Sequence, residues 1–400
     1  MPTRPAPVRL AIVVTHPIQH FVPFYRALAA DPGIELHVLY GAPIGIKSYF
    51  DREMQSEISW NMDMLGGYSH EFLGEVPANG QSSVREPSSP EIAARLKAFG
   101  PDVVLVYGHA QANVYRAIWW CRRNKVPLMT IGDSELLRQR TTTTRMAKEV
   151  VVRQIFRRYS AFLSVGDRNA DFYAYYGAPR DRIFRCPFTI DETTYRAVKA
   201  NRAALRAEAR RTYDIADDAI VALFVGKLSS RKRPVDLIDA LAQTQSSRKV
   251  TALFAGNGEQ MEPAKARAAE TGVDARFAGF VNVDKLPALY AAADMLVHPS
   301  QADPHPLICS ESACIGLPML LSDRVGAAGP TDIARPGENA LIFPCTDTAA
   351  LAMLIDELAG DDARRAAMGA RSLEIFDELD ITASVAGVHR GIETALARPR

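Results

Sequence analysis

Short, predominantly apolar runs recur along the chain, most of them followed by a segment whose apolar residues return with helical spacing. Runs at 9–15, 34–40, 101–107, 127–131 and 162–165 form one series, with helical patterns at 21–30, 112–124 and 169–176. A strand with one wet face alternates polar and apolar residues. A strand that is apolar throughout is buried on both faces, as in a parallel sheet covered by helices on each side. A second series starts afresh at 220–225 and continues through 250–255, 275–278, 295–299 and 319–322. The polar, Ala- and Arg-rich segment 201–214 separates the two series. This pattern predicts an α/β protein of two Rossmann-like, doubly wound domains facing each other across a cleft. A chain of 400 residues also exceeds what one core usually supports. The expected division is 1–195, 196–382 and a C-terminal helix, 383–400, that crosses back to the N-terminal domain. Ligands are expected at the carboxyl ends of the strands. Segment 77–92 reads as a polar loop without catalytic content.

Composition narrows the function. Cys121, Cys186, Cys309, Cys314 and Cys345 form no C-x-x-C pair and no zinc spacing, which fits a reducing compartment. The apolar run 10–14 is too short for a signal peptide, and no run of about 18 apolar residues occurs. A cytoplasmic protein is expected. The formal charge of +1 hides an asymmetry: residues 1–190 carry 23 Lys and Arg against 17 Asp and Glu, residues 191–400 carry 24 against 29. Much of the excess lies in 138–158, where Arg138, Arg140, Arg145, Lys148, Arg153, Arg157 and Arg158 face only Glu149. Such a stretch suits either peripheral docking on an anionic membrane surface or a solvated helix face.

Two loops carry the chemistry. After the run 220–225 come Gly226, Lys227, Leu228, Ser229, Ser230, Arg231, Lys232 and Arg233, with a helix opening at Pro234. Four cations at a strand end, just before a helix N-terminus, make an anion site, and Lys227 and Lys232 are placed to converge on one diphosphate. A solvated basic loop is the plainer alternative. After the run 295–299 comes Asp303, with His305, Pro306, Leu307, Ile308 and Glu311 behind it. Pro306 suits the first helical turn and Asp303 precedes it as a cap. Glu311 is then one and a half turns into the helix and points toward the cleft. Carboxylates so placed suit sugar hydroxyls, although spacing alone allows an N-cap Asp and a surface Glu equally.

In this order the two loops resemble the retaining glycosyltransferases of family 4, of the bacterial glycosyltransferase group 1 type, which have the GT-B fold. The family's G-[RK]-L-x-x-x-K corresponds to Gly226, Lys227, Leu228 and Lys232, and its E-x7-E to Asp303 and Glu311. Ala313, Gly316 and Pro318 follow in the A-x-x-x-G-x-P pattern. Further landmarks fall at 254–259, 277–281, 291–295 and 333–340, so the resemblance is close over 220–350 and looser in the N-terminal half. It implies that Lys227 and Lys232 hold the donor diphosphate and neutralise the charge that builds as the glycosidic bond breaks. Leu307 and Ile308 would present N–H groups to the same phosphates, Glu311 would hold the ribose, and Gly279, Phe280 and Val281 would receive the base. Asp303 would contact the donor sugar. The configuration would be retained, with no protein nucleophile and no metal.

The chain departs from the pattern twice. Asp303 is one methylene shorter than the usual Glu, and Pro306 supplies no N–H. His109, after the run ending at 107, is well placed for donor sugar or acceptor, or is a structural histidine. His16 and Gln19, and Asp133, Ser134 and Glu135, are acceptor-side candidates after other strands. No D-x-D, P-loop or G-x-G-x-x-G following the first strand occurs, and the cations form no aromatic-interleaved patch, which argues against nucleic acid. The reading is therefore a transferase moving a sugar from a UDP- or GDP-linked donor to a glycan or lipid-linked acceptor in bacterial surface polysaccharide or glycolipid synthesis. Alternatives are a UDP-N-acetylhexosamine 2-epimerase-like enzyme and a relative that binds donor without catalysis.

Overall fold

Each apolar series folds into one parallel sheet. The computed structural model describes residues 6–76, 88–137 and 142–397, without the side chains of 142–148. Contacts divide the chain into two units, Met1–Lys47 with Asp63–Ile190 and Asp380–Arg400, and Ser48–Met62 with Asp191–Leu379. Arg138 and Arg140, the side chains of Arg145 and Lys148, and positions 77–87 of the polar loop lie outside the described residues.

In the first unit seven parallel strands lie in the order His70–Phe72, Ile34–Tyr40, Val8–Val14, Val103–Tyr107, Leu128–Gly132, Ala161–Ser164, Ile183–Arg185. Val104, Val106, Val114, Phe156, Phe162 and Phe172 belong to its core. Burying each such side chain contributes about 1.5–3 kcal/mol. The last helix, Ile381–Leu396, packs on this sheet, against Ala161–Ser164 and Ile183–Arg185. Asp380 caps it by accepting from the N–H groups of Thr382 and Ala383 at 2.8 and 3.2 Å. A Cβ at Gly387 would stand 2.1 Å from the Arg185 carbonyl oxygen, so only glycine permits this seat.

In the second unit six parallel strands run Ala275–Gly279, Val250–Ala255, Ile220–Val225, Met295–His298, Met319–Ser322, Ala340–Phe343. This is the doubly wound order, with the first strand central and the chain reversing direction beside it. The segment read as a polar separator is the end of a 21-residue helix, Glu192–Thr212. Its arginines are clamps. Arg206 and Arg210 reach the Asp294 carboxylate at 2.9 and 3.1 Å, and the same carboxylate accepts from the Val221 N–H at 2.8 Å. Arg210 is 2% exposed and also donates to the carbonyls of Ala216, Asp217 and Ala219. A small antiparallel hairpin, Tyr49–Asp51 with Ser56–Ile58, packs with this unit. Among the described residues no helix is long and apolar enough to cross a membrane.

Candidate functional site

The second sheet reverses direction between two paired strands, Ile220–Val225 and Met295–His298. Loops leaving such neighbours diverge and open a crevice at the strand ends. They are the loops that carry Lys227 to Arg233 and Asp303 to Pro306. Backbone bonds fix the first one. The Gly226 N–H donates to the Ala255 carbonyl at 2.9 Å and the Leu228 N–H to Asn257 at 2.8 Å. Gly256 makes this closeness possible, since a Cβ there would lie 1.8 Å from the Gly226 oxygen.

The four cations of the first loop have four different settings. Arg233 folds back onto its own helix, Pro234–Leu241, and binds Asp236 at 2.6 and 2.8 Å, so it does not serve the crevice. Arg231 stitches the two loops together by donating to the Ala302 carbonyl at 2.6 Å, and its own carbonyl accepts from the Gln301 N–H at 3.0 Å. Lys232 pairs with Asp303. Lys227 binds Asp51 and Glu53, each at 2.9 Å.

Asp303 does not cap the helix. Leu307–Ile315 begins after Pro306, whose own extended backbone is the cap position and which makes no side-chain cap bond. Asp303 is instead 9% exposed, and its Oδ2 accepts from both Lys232 and the Nε2 of His298, the latter at 2.8 Å. His298 is fully buried and its Nδ1 has no hydrogen-bond partner among the described residues. Burial opposes ionisation of Asp303, but the His298 hydrogen bond and the Lys232 charge outweigh it and hold the carboxyl below the usual range. Burial lowers Lys232, against the pull of Asp303. The result is a buried His298–Asp303–Lys232 chain that aims one ammonium. His305 is also buried, with Nε2 3.0 Å from Asp332.

The Leu307 and Ile308 N–H groups sit at the free start of their helix, where no intrahelical partner exists. Glu311 comes one turn later, half-buried, and accepts from the Tyr290 hydroxyl at 2.5 Å. Burial pushes its carboxyl up, and the hydroxyl pulls it back. Gly279 ends the strand Ala275–Gly279, and its carbonyl is engaged by the Gly256 N–H at 2.7 Å. Phe280 meets Trp60 edge-on at 5.9 Å, and Val281 follows, half-buried.

The first unit gathers the other candidates along the carboxyl edge of its own sheet. His16 and Gln19 follow Val8–Val14, His109 follows Val103–Tyr107, and Asp133 and Glu135 follow Leu128–Gly132. His16 Nδ1 is 2.9 Å from the Thr15 hydroxyl, and burial lowers the ring to about 4, so it is neutral at pH 7. The Gln19 carbonyl accepts from the Val22 N–H at 3.1 Å in the turn that opens Phe21–Ala30. His109 packs against Phe156 and Phe172, each ring at 5.8 Å. Asp133 acts on the buried Tyr107 hydroxyl, which burial first and that carboxylate second push up. Glu135 accepts from the Leu137 N–H. Among the described residues no group of His, Cys, Asp and Glu is arranged to hold a metal ion.

Sequence reasoning missed His298, Tyr290, Asp51 and Glu53. A lone histidine ending an apolar run, or two acids in a polar turn, gives no pattern that spacing can detect.

Residues 206–374 match the family described as Glycosyl transferases group 1. The D-inositol 3-phosphate glycosyltransferase of Nocardia farcinica is 32% identical over 208 residues, which are 50% of this chain and 44% of that protein. The chain thus spans about half the length of the curated relatives it matches. Among solved structures, HepE from Anabaena in complex with UDP superposes with a TM-score of 0.70 at 17% identity, covering 96% of this chain and 98% of that one. A glycosyltransferase from Rickettsia africae gives 0.72 at 11% identity, covering 98% and 100%. The chain therefore has the GT-B fold, and its second unit carries the segment that matches the glycosyl transferases of group 1.

Proposed function

We propose that this chain is a retaining glycosyltransferase of family 4 that transfers a sugar from a nucleotide-diphosphate donor, UDP- or GDP-linked, to a glycan or lipid-linked acceptor. One observation carries the reading: at the switch point of the second sheet Arg231 and Lys232 bind the loop that leads into the N-terminus of Leu307–Ile315, and Glu53 links Arg231 to Lys227 at the end of the neighbouring strand. Fixed cations and a helix start together form a diphosphate site. The UDP bound in the Anabaena structure supports a uridine donor.

In this reading Lys227 and Lys232 neutralise the diphosphate as the sugar–phosphate bond breaks, so no metal is needed to carry the charge. Leu307 and Ile308 donate N–H groups to phosphate oxygens. Glu311 takes the ribose hydroxyls, with Tyr290 orienting it, and the backbone of Gly279 to Val281 takes the base. Asp303, clamped by His298 and Lys232, fixes the ammonium and leaves one oxygen toward the sugar. His109 contacts the donor sugar, while His16, Gln19, Asp133 and Glu135 serve the acceptor. The leaving phosphate vacates the face on which the acceptor attacks, which retains configuration without a protein nucleophile. Surface polysaccharide or glycolipid synthesis on the cytoplasmic face of a membrane fits such an acceptor. Val150 and Val151, 64% and 53% exposed beside Arg153 and Arg157, support peripheral contact with an anionic lipid surface.

The test is a thermal-shift panel of UDP, GDP, ADP and CMP with their sugar conjugates, with and without EDTA. Stabilisation by one nucleoside diphosphate, unchanged by chelator, is expected. A flat panel would sink the donor-site reading. Donor incubated alone separates transfer from 2-epimerisation, because an epimer accumulating without acceptor would favour the latter.

A further inference from the structure

The hairpin of residues 49–58 places carboxylates on the cations proposed to hold a diphosphate. Asp51 Oδ2 and Glu53 Oε2 each lie 2.9 Å from Lys227 Nζ. The other Glu53 oxygen is 3.9 Å from Arg231, and the Glu53 charge also acts on Lys232. One carboxylate therefore pairs with Lys227 and Arg231, and its charge reaches Lys232. The turn is built to keep it there. Asp51 Oδ1 accepts from the N–H groups of Glu53 and Met54, both at 2.9 Å, and the Asp51 side chain is only 13% exposed. The following residues anchor the hairpin on the loop proposed to receive the base. Asn61 N–H donates to Asn282 at 3.1 Å, the Asn61 amide donates to Asp284 at 2.8 Å, and Asn282 donates to the Ser59 carbonyl at 2.6 Å.

We infer that Asp51 and Glu53 are selectivity-determining residues, a built-in anion that a phosphate ligand must displace from Lys227 and Arg231. This rests on the donor-site reading above. A ligand that replaces two carboxylates must carry enough charge, and enough oxygens, to engage several cations at once. A diphosphate does so; a single phosphate carries less charge and reaches fewer of them. The competing carboxylates therefore lower affinity for every phosphate and penalise the monophosphate most, so selectivity comes from a repulsive element as well as an attractive one. The ion pairs are partly exposed, so each competes modestly and salt weakens it.

Titration calorimetry on the full chain tests this with pyrophosphate, orthophosphate and UDP. Asp51→Asn with Glu53→Gln is expected to bind pyrophosphate about tenfold tighter than the parent. Its preference for pyrophosphate over orthophosphate should narrow, and its binding should depend differently on salt. Glu53→Gln alone, at a half-exposed side chain, guards against misfolding and is expected to gain about threefold. Unchanged or weaker pyrophosphate affinity in both variants overturns the inference. Lys227→Ala identifies what falls with it. If that variant loses pyrophosphate, the site stands and only the role of the hairpin fails; if it binds like the parent, the donor-site reading fails too.

Discussion

The two sheets share a strand order and a reversal beside the first strand, yet the loops at their reversals have opposite chemistry. In the second unit the loop after Val225 holds Lys227, Arg231, Lys232 and Arg233, and the loop after His298 holds Asp303. In the first unit the residues after Val14 and Tyr107, at 15–20 and 108–111, include no Lys, Arg, Asp or Glu. They offer His16, which burial keeps neutral, Gln19, and His109, which packs against Phe156 and Phe172. One topology thus presents a charge-dense crevice at the reversal in one unit and two loops without Lys, Arg, Asp or Glu at the reversal in the other. The fold supplies the position, and the loops supply the chemistry.

Removing the charge should break this contrast most visibly. Lys227→Ala with Lys232→Ala is expected to weaken nucleoside diphosphate binding about a thousandfold, since each charge-assisted contact contributes about 2 kcal/mol. Calorimetry reads the loss, and circular dichroism shows whether the fold persists; unchanged affinity would misplace the diphosphate. Next in size is Asp303→Ala, which leaves Lys232 buried without its partner and should cost about 3 kcal/mol in denaturant unfolding. A loss below about 1 kcal/mol would mean that water already serves that ammonium.

The loops of the first unit have their own test. The folded state lowers His16 from 6.5 to about 4, so the unfolded chain takes up the proton first as pH falls. The stability that His16 contributes is complete above pH 6.5 and is lost between 6.5 and about 4. For a side chain that keeps some solvent contact this is about 2 kcal/mol. His16→Gln should flatten the decline in melting temperature across that window, and an identical slope in the variant would rule the residue out. The smallest effect is expected from Tyr290→Phe, which removes the hydrogen bond to Glu311 and should cost about 1 kcal/mol in stability.

Much of the second unit was legible beforehand, because continuous apolar runs mark buried parallel strands without any tertiary information. The shortest strands escaped notice. His70–Phe72 and Ile183–Arg185 are three residues each and half-buried, too brief for a period to register. The arginines of Glu192–Thr212 read as a polar break, since composition does not distinguish a solvated guanidinium from one whose donors are used by Asp294 and backbone carbonyls. Lys232 and Asp303 were both marked as candidates, but each for a separate ligand-facing task. Their partnership spans 71 positions, and only strand adjacency makes it.

By itself the sequence determined what depends on local order: two series of buried strands, a cationic loop before one helix, and an acid before another. Hydrophobic periodicity and turn chemistry act over a few residues, so they are written in adjacent letters. Tertiary structure alone decided which charges meet. It seated His298 on Asp303, turned Arg233 away from the crevice and brought Asp51 and Glu53 onto Lys227, 176 positions from Asp51. Ion pairing depends on distance in space and on burial, and neither exists until the sheet has assembled.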